Sequence, residues 1–193
     1  CNRDTQPYDW AKIQKHLGSS SANKIRLEER IEFLNNAITV FTRETYPLEW
    51  ASTNASLGIA YSEYSKFGSE RDEKYEFHYR QAQEVFTYSE YPEVWAELEH
   101  NISVGSHLFL HDPKVYNEQL RKILGAIKLS NYPSFVLKLS NSLAEDLYRE
   151  LNFSEARYYY AISHEAIESM RGRITRKDAK QKIVDENSSL YEN

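Results

Sequence analysis

The stretch Tyr46-Pro47-Leu48-Glu49-Trp50-Ala51, leading on to Leu57-Gly58, returns as Tyr91-Pro92-Glu93-Val94-Trp95-Ala96, leading on to Ile102-Ser103. Weaker copies flank these two. Pro7 is followed by Trp10, Ala11 and Leu17-Gly18, and Tyr132-Pro133 by Val136, Leu137 and Leu143-Ala144. The prolines recur at intervals of 40, 45 and 41 residues and are four of the five in the chain. Self-similarity at such a period is the mark of a repeat architecture.

The physics of the motif explains its parts. Proline suits the first turn of a helix, where its missing N–H would have no partner, and it breaks the helix before it. Each Tyr-Pro step therefore reads as stop and restart. The small residue in mid-helix lets a second helix cross closely, and the large apolar residue beside it fills the groove next to the crossing. Between each opening helix and the next proline lies a second helical pattern: Ile31, Leu34, Ile38 and Phe41; then Tyr79, Ala82, Val85 and Phe86; then Leu120, Ile123, Leu124 and Ile127. Glycine and serine at Gly18 to Ser21 and Gly68-Ser69, and the Asp112-Pro113 step, punctuate the loops. The expected helices lie near 8–17, 24–44, 48–66, 72–90, 93–110, 114–130, 134–150, 154–170 and 174–191. The class is all-α, with no alternating strand pattern.

Composition agrees. The 193 residues are 40% apolar, with 15 Tyr, 8 Phe and 3 Trp against 6 Gly. Aromatic knobs fill gaps between crossed helices, and glycine weakens helix interiors. A net charge of −5 disfavours a nucleic-acid partner, which needs a clustered basic surface. One run, Arg171, Arg173, Arg176, Lys177, Lys180 and Lys182, is basic and reads as a solvated stripe on a last helix. No apolar run is long enough to span a membrane. The single cysteine, Cys1, forbids an internal disulfide and suits a cytoplasmic location; the alternative is a lipoprotein anchored through Cys1.

Leu57, Gly58 and Tyr61, and then Leu143, Ala144, Leu147, Phe153, Ala156 and Tyr160, follow the pattern of the tetratricopeptide repeat. The chain resembles that family, in a long variant like the repeats of bacterial and cyanobacterial proteins that carry a CHAT caspase-like protease. The closing segment, Ala166-Ile167 through Arg171 to Leu190-Tyr191, is similar to the helix that joins such repeats to the protease. The resemblance implies an α-solenoid of about four helical hairpins, at 7–46, 47–91, 92–132 and 133–168, with lengthened second helices and a capping helix near 172–191. It also implies one repeat domain over 1–193 that recognises another protein or peptide, as the regulatory part of a CHAT-type protease; the alternative is a small scaffold or assembly subunit.

Stacked hairpins of this kind offer a concave face lined by their first helices. The inward positions are Ser52, Ala55, Ile59 and Ser62; then Glu97, His100, Val104 and His107; then Lys138, Asn141, Glu145 and Tyr148. Positions that vary between repeats set specificity, so the candidate binding residues are Glu97, His100, Asn101, His107, Lys138, Asn141, Glu145 and Tyr148. Asn101 and Lys138 match two places where carboxylate-clamping members of the family hold Asn and Lys, but Ala55, Ile59 and Ser142 cannot supply the rest of a clamp. Trp10, Trp50 and Trp95 recur in register and are read as structural.

Chemistry is sparsely signalled. The chain has no phosphate-binding loop, HExxH, CxxC or GxSxG. His107 and His111 sit four apart with His100 behind and Asp112 adjacent, a spacing able to chelate a divalent ion, though no second helix offers a third ligand. Cys1 would need a pocket at a frayed end to act as an N-terminal nucleophile. The expectation is no enzyme, no metal and no cofactor.

Overall fold

The fold is that of a computed structural model that describes residues 2–20, 25–67, 74–110 and 113–188, with side chains placed over 2–20, 25–64, 74–104 and 113–173. Eight α-helices occur among the described residues: α1 (Pro7–Ser19), α2 (Leu27–Ile38), α3 (Pro47–Phe67), α4 (Lys74–Gln83), α5 (Pro92–Leu110), α6 (Pro113–Ala126), α7 (Pro133–Arg149) and α8 (Phe153–Ser188). No strand occurs among them.

The four repeat prolines open α1, α3, α5 and α7. The first helical bond is the same each time: the N–H three residues after the proline donates to the carbonyl just before it. Trp10 to Gln6, Trp50 to Tyr46, Trp95 to Tyr91 and Val136 to Tyr132 measure 3.0, 2.8, 2.9 and 2.9 Å. Gln6 and Tyr132 stay outside the helical region, at φ −141° and −129°, as crowding by a following proline requires.

The second helices are shorter than their sequence pattern implies. α2 stops at Ile38, α4 at Gln83 and α6 at Ala126. Each then gives way to an ordered connector, built alike in the three repeats. Phe41, Phe86 and Ile127, six before the next proline, are 0, 9 and 7% exposed. Their N–H groups close a last turn on Ala37, Ala82 and Ile123 at 3.0, 2.9 and 3.1 Å. A second turn then joins Tyr46 to Thr42, Tyr91 to Thr87 and Tyr132 to Lys128 at 2.9, 2.8 and 3.2 Å. Hydroxyl side chains help to end α2, since Thr39 donates to the Asn36 carbonyl at 2.7 Å and the Thr45 N–H donates to Thr42 Oγ1 at 3.2 Å. The extra length of these repeats thus lies in connectors.

The last helix departs in the opposite sense. A separate capping helix near 172–191 is not found: α8 runs unbroken from Phe153 to Ser188, through the position of Gly172. An isolated glycine costs a helix interior only about 1 kcal/mol relative to alanine, so it does not force a break.

The chain divides into two compact units, residues 1–119 and 120–193, with the division falling inside α6. In the first unit each helix from α1 to α5 packs on the next, and α1 also touches α3, and α3 touches α5. Ala11, Ala37 and Phe41 form one buried cluster with Trp10, Tyr46 and Trp50 against it; Leu34, Leu57 and Ala60 form a second. Ala51, Tyr75, Tyr79, Ala82, Phe86, Leu98 and Ile102 form a third. Tyr8, Phe41 and Tyr46 meet with ring centroids 5.2 to 5.8 Å apart. In the second unit α7 packs on α8, Val136, Leu139, Leu143 and Leu147 of α7 are buried, and buried Ser140 and Ser163 join their hydroxyls at 2.7 Å.

Close approach explains the small residue of the motif. A Cβ at Gly18 would stand 2.5 Å from Leu34 Cγ and 2.8 Å from the Arg30 carbonyl oxygen, and at Gly58 2.5 Å from the Tyr79 ring.

Candidate functional site

The candidate binding residues fall four in each unit. On α5, Glu97 is exposed, Asn101 is half-buried, and His100 is only 6% exposed, which removes its imidazole from any open surface. His107 lies outside the residues whose side chains are described. On α7, Lys138 and Glu145 are exposed and Asn141 is half-buried, its Nδ2 donating to Glu145 Oε1 at 2.8 Å. Arg149 stands 3.9 Å from the same glutamate. Tyr148 is 57% exposed, with the edge of Phe153 at 5.3 Å. On α3, Ser52, Ala55 and Ser62 are half-buried and Ile59 is exposed.

Sequence reasoning left α1 out of the binding face. The structure gives α1 a concavity of about 600 Å³, lined by Asp9, Lys12, Ile13, Lys15, His16 and Ser19 among others. A polar ladder links this helix to α3. Tyr8 donates to Glu49 Oε1 at 3.2 Å, Lys15 Nζ donates to Ser52 Oγ, and Ser19 donates to Ser56 Oγ at 3.0 Å. Burial lowers the Lys15 ammonium from its usual range while Glu49 opposes that effect, and the hydrogen bond to Glu49 raises the Tyr8 phenol. The signal for this ladder was present in the spacing, because the partners are 37 to 41 residues apart, close to one repeat.

Other polar groups join helix to helix. Asn54, 2% exposed, donates to the Trp50 carbonyl at 3.1 Å and holds His78 Nδ1 at 2.9 Å, while the His78 ring stacks on Tyr61 at 5.3 Å. From α2, Arg30 reaches Glu63 of α3 at 2.6 Å and the Gly18 carbonyl of α1 at 3.2 Å. Between α4 and α5, Arg80 and Gln83 reach Glu99 at 2.8 and 3.0 Å. In the second unit Arg121 pairs with Glu155 at 2.7 Å, and that hydrogen bond raises the guanidinium further. Arg171 pairs with Glu168 at 2.6 Å, and Arg173 donates to the Ser130 carbonyl. The side chains of Arg176, Lys177, Lys180 and Lys182 lie outside the described residues.

No group of three or more His, Cys, Asp or Glu able to hold a metal occurs among the described residues. His111, Asp112 and Cys1 lie outside them, as does the His107 side chain. The buried Ser140 and Ser163 hydroxyls bond to each other and to the carbonyls of Val136 at 2.7 Å and Tyr159 at 3.1 Å, a linkage that ties α7 to α8. No described helix is long and apolar enough to cross a membrane. No family model matches the chain, and no curated protein matches it.

Proposed function

We propose that this chain is a tetratricopeptide-like helical-repeat module that binds a protein or peptide along its first helices. The observation that carries the reading is the packing order of the first unit: every helix from α1 to α5 lies on its successor, while α1 touches α3 and α3 touches α5. That order sets first helices side by side, and their outward positions are polar or open, among them Lys12, Ile59 and Glu97. An extended or helical peptide would find hydrogen-bonding groups there and an apolar contact at Ile59. In the second unit the corresponding face of α7 carries Lys138, Glu145 and Tyr148.

By the resemblance of its repeats, the module would act as the recognition part of a CHAT-type protease protein. The test is capture from a native lysate by the chain and by a variant with Glu97→Lys, Lys138→Glu and Tyr148→Ala together. None of the three side chains is in the buried core, so the fold should survive. The expected result is a named set of partners that the variant no longer retains. Retention of the same partners by the variant would remove the first-helix face as the binding surface.

A further inference from the structure

The second helices of the first unit stand apart where the first helices do not. α1 touches α3 and α3 touches α5, but among the described residues α2 does not touch α4. A cleft of about 560 Å³ lies between the connector after α2 and the end of α4, lined by Arg43, Glu44, Trp50, Gln81 and Glu84 among others. Its volume falls within the roughly 300 to 1,000 Å³ of small-ligand pockets.

The chain itself shows what chemistry this cleft accepts. The Arg43 guanidinium lies over the Trp50 ring, 6.0 Å from its centroid, and pairs with Oε2 of Glu84. Gln81 donates to Oε1 of the same carboxylate at 2.8 Å and so fixes its direction. A flat, permanently charged fork set over an indole face and against a carboxylate is the setting in which arginine outdoes lysine. The arrangement follows the repeat. Arg3 and Arg43 each stand four residues before a repeat proline, and Arg3 lies over Trp10 at 5.2 Å and donates to Thr39 at 2.9 Å. Thr39 and Glu84 each stand eight residues before the next proline. Of these two sites, only the one at Trp50 ends on a carboxylate.

Two features make the Arg43 contact replaceable. The Arg43 and Glu84 side chains are 52 and 36% exposed, and an ion pair so open to water holds its partners weakly. Glu44, the second carboxylate of the cleft, makes no hydrogen bond or ion pair among the described residues. Two carboxylates against one guanidinium leave the cleft one positive charge short.

We infer that this cleft is a binding site for an arginine side chain of a protein partner, whose guanidinium replaces Arg43 on the Trp50 ring and is held between Glu84 and Glu44. Arg43 is then a competitor within the chain, covering the ring until a partner arrives. The site lies on the second-helix side and does not rest on the first-helix face of the proposed function.

An NMR titration of the full chain with the blocked peptide acetyl-Ala-Arg-Ala-amide, followed at the Trp50 indole N–H, tests this. The expected result is a saturable shift of Trp50 with Trp10 and Trp95 unmoved, at a dissociation constant of about 1 mM, as a single exposed cationic anchor implies. The same peptide with citrulline, which keeps the shape and lacks the charge, should leave Trp50 unmoved, and one with lysine should bind more weakly than arginine. Arg43→Ala should tighten binding severalfold, because it removes the competitor. On that background Glu44→Gln and Glu84→Gln should each weaken it roughly three- to fivefold. All three side chains are exposed, so helix content should not change. An unmoved Trp50 even in the Arg43→Ala chain, an equal response to citrulline or lysine, or an Arg43→Ala chain that binds no better than the wild type would overturn the inference. The variant with Glu97→Lys, Lys138→Glu and Tyr148→Ala should bind the peptide as the wild type does, so the two readings fail separately.

Discussion

The hairpins α3–α4 and α7–α8 are built to the same register and differ in what lies outside them. In the first, Gly58 admits the Tyr79 ring and α5 covers its far side, leaving Tyr79 2% exposed. In the second, Ala144 replaces the glycine and Tyr160 is 39% exposed. One position of one motif is therefore core in one hairpin and surface in the other. The repeat fixes which residue type stands at a position, while the neighbouring helix decides what that residue contributes.

Truncating the two tyrosines should split this comparison widest. Tyr79→Ala leaves a large cavity between α3, α4 and α5 and should cost about 3 to 5 kcal/mol in denaturant unfolding. Tyr160→Ala should cost about 1 kcal/mol or less. The glycines sharpen the same contrast. Gly18→Ala and Gly58→Ala gain helix propensity but force a methyl against the Arg30 carbonyl or the Tyr79 ring, for a net loss of about 1 to 3 kcal/mol. Gly18 should lose more, because a backbone atom cannot swing aside. Gly172→Ala on α8, with nothing within 4 Å of the added carbon, should instead gain up to about 1 kcal/mol.

Titration provides a smaller separation. Burial raises the Tyr79 phenol above its ordinary 10.0, with Glu63 adding to the effect. The unfolded chain releases that proton near pH 10 while the fold retains it, so stability should fall as pH rises beyond 10, and Tyr79→Phe should remove that part of the fall. Lys15 works with the opposite sign and on a smaller scale. Its lowered value means the unfolded chain holds the proton more firmly, so stability should rise with pH in the window just below 10.5. Lys15→Met should flatten that rise in pH-dependent urea titrations.

Much of this fold was legible from prolines alone. A proline fixes a helix start whatever surrounds it, and all four repeat prolines open helices. The ends of α2, α4 and α6 were not legible in the same way. Phe41 follows Ala37 by four residues, a spacing that also suits one more helical turn, and only its burial in the connector against Ala11 and Ala37 distinguishes the two. A separate capping helix near 172–191 was expected, yet Gly172, the one glycine there, is a weak barrier to a 36-residue helix. Among the candidate binding residues, Glu97 and Tyr148 are on the surface and His100 is not. Periodicity places a residue on a helix face, but whether a neighbour closes over that face depends on packing absent from the local pattern. The ladder from α1 to α3 was missed because its members, Lys15 with Ser52 and Ser19 with Ser56, are ordinary residues until the repeats are laid side by side.

The account turns on equivalent tyrosines having unequal cover, and residue-by-residue nitration rates read by mass spectrometry on dilute native protein measure that directly. The account expects Tyr148, Tyr158 and Tyr160 to react readily and Tyr75 and Tyr79 to resist until the chain unfolds. Equal reactivity of Tyr79 and Tyr160 in the dilute native chain would contradict it.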